Sequence, residues 1–228
     1  MKSLLYFPLC CISILLAGCT SERHDYSAGD AVITEYLIQT YERMTGLSLS
    51  SAVYFGNQES IKLGSESEYY YMPDVVLFRE KYDDCHYNGA QIPGGYSALI
   101  NEFHKIEIVS DTEFNGVPAG ESIADKVIIF AVTPYPWLKS GSAVTYDWNE
   151  SMVEHSFFCR LGPWFTLPQM YLVNKKVSSL TEDDLQLLCP EHIYFRFIEK
   201  PEIKTHNITM RFIEKEKSLE SSVEVIFE

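Results

Sequence analysis

Basic residues are scarce in this chain, with 18 Lys and Arg against 32 Asp and Glu. Binding a nucleic-acid backbone requires a basic face that releases condensed counterions, so a chain of this sign excludes nucleic acid as a partner. The same deficit disfavours electrostatic adsorption to anionic headgroups. Long apolar runs are missing too. The most apolar stretch, residues 4–16, holds 13 residues, whereas a spanning helix needs about 20 to cross roughly 30 Å of hydrocarbon. No G-x-S-x-G, H-E-x-x-H or P-loop spacing occurs, so none of the common nucleophile, zinc-hydrolase or phosphate-cradle chemistries is signalled, and no cofactor is expected. Cysteine is thinly used, six in all, with no Cys-x-x-Cys element.

What is present begins at the N-terminus. Lys2, the apolar run 4–16 and the small residues Ala17 and Gly18 have the three-part layout of a secretory leader. Leu16-Ala17-Gly18-Cys19 resembles the lipobox of bacterial lipoproteins. The resemblance implies cleavage before Cys19 and a thioether-linked diacylglycerol on its sulfur, leaving residues 1–18 as the leader and 19–30 as an acylated, flexible tether. At about 0.8 kcal/mol per buried methylene, two or three palmitate-length chains fix a protein to a bilayer with no transmembrane helix. Thr20 and Ser21 follow the cysteine, without the aspartate that resembles an inner-membrane retention signal, so the outer membrane is the expected address, with the facing leaflet open.

Loss of the leader removes Lys2 and no acid, leaving 17 basic against 32 acidic side chains, a formal charge of −15 over 210 residues. That length buries roughly 70% of its unfolded surface, enough for a large core without disulfides. Cys85, Cys159 and Cys189 remain, an odd number that allows at most one bridge and does not choose among the pairings.

Residues 31–228 read as one mainly β domain. Short β-branched and aromatic runs bounded by Gly, Pro, Asn and Asp predict strands at 51–55, 75–78, 105–110, 126–132, 165–173, 193–199, 207–214 and 223–227. Alternation sets Ile106, Ile108 and Ser110 against Glu107 and Val109, and Ile208, Met210 and Phe212 against Thr209, Arg211 and Ile213, so each of these strands buries one face. The charged, serine-rich segment 215–222 joins the last two as an antiparallel pair. Residues 31–44 carry helical spacing and strand-favouring residues together, and both readings stand. Thr181-Glu182-Asp183-Asp184 ahead of Leu185 predicts a capped helical turn.

Ile106-Glu107-Ile108-Val109-Ser110-Asp111-Thr112-Glu113-Phe114, followed by Pro118-Ala119-Gly120, resembles a motif of a Bacteroidetes lipoprotein family whose domain has no assigned function. The resemblance covers the central third of the chain. It implies an immunoglobulin-like antiparallel β-sandwich with long loops and one or two short helices, attached to the outer membrane and without enzymatic activity. Its shared residues look like determinants of the fold: Gly116 and Gly120 would supply turn conformations, and Phe114 would plug the core.

Three constellations bear on function. Tyr135, Trp137, Tyr146 and Trp148, in a segment stiffened by Pro134 and Pro136, are the candidate ligand-binding residues, because exposed rigid rings stack on sugars or peptide side chains; Tyr69-Tyr70-Tyr71 and Trp164 add further aromatics. Glu102, His104, Asp111, Asp125, Asp147 and His155 supply carboxylates and imidazoles for acid–base work, with nothing to single out a pair. Cys85-His86 and Cys189-x-x-His192 have the atoms of a zinc site, yet adjacent residues on a strand point to opposite faces, so no metal is expected. The expectation is a non-enzymatic binding, adhesion or assembly module whose partner is a glycan or a cell-surface protein, with a carbohydrate-active hydrolase as the alternative. Mass spectrometry of the native protein is expected to find diacylglycerol on Cys19 and no residues before it; Cys19→Ser should retain the whole leader.

Overall fold

The computed structural model describes residues 33–54, 58–90, 96–148 and 167–228. The first elements are β1 (Ile33–Thr34), β2 (Ile38–Tyr54), β3 (Gln58–Tyr70), α1 (Asp74–Tyr82), β4 (Gly89–Ala90), β5 (Tyr96–Leu99) and β6 (Lys105–Ser110). They are followed by β7 (Val127–Thr133), α2 (Tyr135–Lys139), β8 (Tyr171–Lys176), β9 (Tyr194–Phe197), β10 (Thr205–Ile213) and β11 (Ser218–Ile226). A six-stranded sheet of order β5-β2-β3-β9-β7-β8 packs against a three-stranded sheet of order β11-β10-β6, and β1 pairs with β4 alone. Ala31–Glu228 form one compact unit. No helix among the described residues is long and apolar enough to cross a membrane.

The chain is thus an all-β sandwich with two short helices. Its strand order is not the four-and-three antiparallel arrangement of the immunoglobulin fold: one layer has six strands, and β5 joins β2 in parallel. Two apolar cores explain the wider layer. Met44, Ile61, Ile108, Phe114, Ile129, Phe195, Met210 and Phe227 fill the space between the sheets. Tyr41, Tyr96, Phe130, Val132, Trp137, Leu138 and Tyr194 form a second core. Neighbours in sequence on one strand alternate between the two, Ile129 with Phe130 on β7 and Tyr194 with Phe195 on β9, so the central sheet is covered on both faces. The near-continuous run Val-Ile-Ile-Phe-Ala-Val-Thr of β7 is the composition such a strand requires.

The same constraint resolves residues 38–44 as strand; 31 and 32 lie outside the described residues. Tyr41 and Met44, three apart, suggest a helix, but they lie on β2 and enter different cores, one on each side of the sheet. At 75–78 the expected strand is instead helix. A four-residue apolar run does not by itself distinguish the two, and here Asp74 in the first turn and Arg79 and Lys81 in the last suit the helix dipole. Only Val75 and Tyr82 of α1 are buried, two turns apart on one side. The expected alternation of β6 and β10 is observed at every position named. The connection 215–222 shrinks to a tight turn closed by Glu214 N–H donating to the Lys217 carbonyl at 2.9 Å, and the serines beyond it belong to β11. Of 165–173, only the end is strand, since β8 starts at Tyr171; 165 and 166 lie outside the described residues.

Side chains take over where ladders stop. β5 ends at Leu99, and the buried Asn101 continues its pairing with β2: its Oδ1 accepts from the Met44 N–H at 2.7 Å and its Nδ2 donates to the Met44 carbonyl at 3.1 Å. The same Nδ2 donates to Glu214 at 2.5 Å, tying the six-stranded sheet to the β10–β11 turn. His206 is fully buried; its Nε2 donates to the Ile203 carbonyl and its Nδ1 accepts from the Ser110 and Thr112 hydroxyls, all at 2.8 Å. Within the motif of β6, Asp111 accepts from the Asn207 N–H at 2.8 Å, Phe114 is fully buried, and Gly116 and Gly120 sit at φ +83° and +80°, where a side chain would be strained. Asn101→Leu keeps the branched outline but leaves the buried Met44 N–H and carbonyl without their side-chain partners, so chemical denaturation is expected to show a loss of about 2–4 kcal/mol.

Candidate functional site

The loop after β7 does not present its rings. The Tyr135 N–H donates to the Thr133 hydroxyl at 3.0 Å, which helps turn the chain into α2, and the helix drives Trp137 inward. Trp137 is 3% exposed and stands edge-on to Tyr87 at 6.4 Å. Trp148 is 9% exposed and its indole N–H donates to the Leu167 carbonyl at 2.9 Å. Tyr146 packs between Trp148 and Tyr171, with ring centroids 5.0 Å from each. The exposure expected of Trp137 and Trp148 is therefore not found: a sheet covered on both faces needs a second core, and these residues supply it. Of the four, Tyr135 lines a cavity. Leu16, Ala17, Gly18, Cys19, His155, Cys159 and Trp164 lie outside the described residues.

That cavity, about 540 Å³, runs between the end of α1 and α2 and is lined by Lys81, Tyr82, Glu102, Tyr135 and Lys139. Glu102 and Gln186 also line a neighbouring one of about 910 Å³, with His104, Arg43, Glu214 and Lys217. Three ion pairs lie along them: Lys81 with Glu102 at 2.8 Å, Lys139 with Asp183 at 2.5 Å, and Arg43 with Glu214 at 3.5 Å. The hydrogen bond and charge of Lys81 hold the Glu102 carboxyl below its usual range. The other carboxylates singled out by sequence do not join it. Asp111 bonds β10, Asp125 accepts from the Ser178 hydroxyl, and Asp147 lines neither cavity.

Two buried groups have catalytic atoms in non-catalytic settings. Ser110 and His206 form a hydroxyl–imidazole pair, but Phe114 and Phe227 lie 5.0 and 5.6 Å from the imidazole, and neither residue meets solvent. Cys189 is 2% exposed, and burial pushes its thiol up, away from the thiolate needed for nucleophilic or metal chemistry. Its sequence neighbour His192 is also desolvated, which lowers its imidazole to about 4. Cys85 and Cys189 are both free thiols, so they do not bridge one another.

A group of exposed apolar residues lies at the β3–α1 corner. Tyr69 and Tyr71 at the end of β3, Met72, and Val76 and Leu77 on α1 all face solvent, with Tyr71 at 70% and Leu77 at 63% exposure. The tyrosines were legible in the sequence; the α1 residues were hidden by reading 75–78 as strand. At the far end of the same helix, the loop 83–88 is not a strand, and Asp83, Cys85 and His86 converge on one exposed point.

Comparison with models of protein families, with curated proteins and with solved structures finds no match. Trp137→Ala is expected to lower stability by about 3–5 kcal/mol in denaturant titration, as for other buried large-to-small changes, whereas Tyr135→Ala should change it far less.

Proposed function

We propose that this protein is a lipid-anchored binding or assembly module of the outer membrane, related to the Bacteroidetes lipoproteins that its β6 motif resembles, and that the ridge at the β3–α1 corner is its contact surface. One observation carries the reading: large apolar side chains at Tyr71, Met72, Val76 and Leu77 stand in solvent around one short helix. Scattered single apolar residues on a surface are ordinary, but a contiguous group is characteristic of an interaction site. The Leu16-Ala17-Gly18-Cys19 sequence supports the anchor. The strand framework supports rigid presentation of the ridge, and its apolar character suits a protein partner better than a glycan.

A carbohydrate-active hydrolase is the weaker reading. It needs one carboxyl group kept protonated near neutral pH to act as the acid. Glu102, which lines both cavities, is biased towards the ionised form by Lys81.

The test is a double substitution, Tyr71→Ser with Leu77→Ser, in the full chain extracted from native membranes. Proteins cross-linked to the wild type should be lost, with stability changed by no more than about 0.5 kcal/mol, as expected of surface positions. Retention of the same cross-linked partners by the variant would remove the ridge from the function.

A further inference from the structure

We propose that Asp83, Cys85 and His86 form an open zinc site on the surface loop that follows α1. The three donor atoms are mutually close: Cys85 Sγ lies 3.5 Å from Asp83 Oδ1 and 3.6 Å from His86 Nε2, and His86 Nε2 lies 3.4 Å from Asp83 Oδ1. A tetrahedral zinc, with Zn–S near 2.3 Å and Zn–N and Zn–O near 2.0–2.1 Å, has S···O, S···N and N···O edges of roughly 3.5, 3.6 and 3.3 Å. The triangle of donors therefore matches one face of that tetrahedron.

The loop is built to hold this face outward. Asp83 ends α1 in the left-handed conformation, φ 55°. Asp84, between the donors in sequence, turns the other way and is fully buried: its carboxylate accepts from the N–H groups of Leu37 and Ile38 at 2.8 and 3.0 Å and from the Tyr41 hydroxyl at 3.1 Å. Anchored there, the chain presents Asp83, Cys85 and His86 on its solvent side, all exposed. The donor set is sulfur, nitrogen and oxygen, the mixture that borderline-soft Zn²⁺ accepts. One thiolate and one carboxylate balance the ion's two charges. On binding, the Cys85 thiol proton leaves to solvent, the sulfur–zinc bond forms, and no electron is transferred. Three protein donors leave the fourth position to water or to a donor from another molecule. Cys189 and His192 take no part: the former is buried in the second core, and neither belongs to the exposed cluster.

The test uses the full-length protein in detergent, titrated with Zn²⁺ and, in parallel, with Co²⁺. One equivalent of metal should bind, and the cobalt form should show a sulfur-to-cobalt charge-transfer band with the intense visible absorption of a tetrahedral site. Cys85→Ser should abolish the charge-transfer band, and His86→Gln and Asp83→Asn should each weaken Zn²⁺ at least tenfold, with thermal unfolding in the absence of metal unchanged. Cys189→Ser should leave the band intact. The proposal is overturned if no metal is retained, if the band survives Cys85→Ser, or if Zn²⁺ affinity is indifferent to His86 and Asp83.

Discussion

The central sheet of this protein must exclude water from both of its faces, and most of the architecture answers to that requirement. A sheet covered on one side needs apolar residues of a single parity; one covered on both needs them at successive positions, as in Ile129-Phe130-Ala131-Val132 of β7. The three-stranded sheet closes one face. Among the described residues no further sheet closes the other. That task falls to α1, α2 and the aromatic residues of the connecting loops, which is why Tyr82, Trp137 and Trp148 are structural side chains, in one core with Tyr41 of β2.

Where strands end, buried polar side chains replace the missing backbone partners. Asn101 extends the pairing of β5 with β2, Asp84 receives the amides of Leu37 and Ile38 where β2 begins, and His206 joins β10 to the end of β6 and to Thr112 beyond it. A buried amide or carbonyl left unpaired costs on the order of 1–3 kcal/mol, so each of these residues is worth more than its single contact implies. Asp84 also fixes the direction in which its neighbours point, and so links the packing of the core to the chemistry of the surface loop.

Much of the sandwich was legible in the sequence because strand alternation is a local signal. β6 occupies residues 105–110 as expected, and the inward set Ile208, Met210 and Phe212 on β10 is the one its alternation indicates. Failures arose where tertiary context decides. The Val-Val-Leu-Phe run of α1 has strand-favouring residues but forms a helix with only Val75 and Tyr82 turned to the core. The tryptophans looked like recognition residues because nothing local announces a second core. The convergence of Asp83, Cys85 and His86 is not legible in their spacing, because adjacent residues diverge on a strand and meet only in a loop of this shape; their approach depends on a left-handed residue and on an anchor 43 positions away in sequence, the Asp84–Tyr41 contact.

The outer strands carry one more implication. β8 closes one side of the larger layer, and its last three residues, Asn174, Lys175 and Lys176, are exposed; β11 borders the smaller layer with Glu220 and Glu224 facing water. Ammonium and carboxylate groups beside an open row of peptide donors and acceptors penalise the approach of another strand. A β protein with bare borders is prone to polymerise through its backbone. These charged margins let neighbouring copies crowd together yet stay separate bodies.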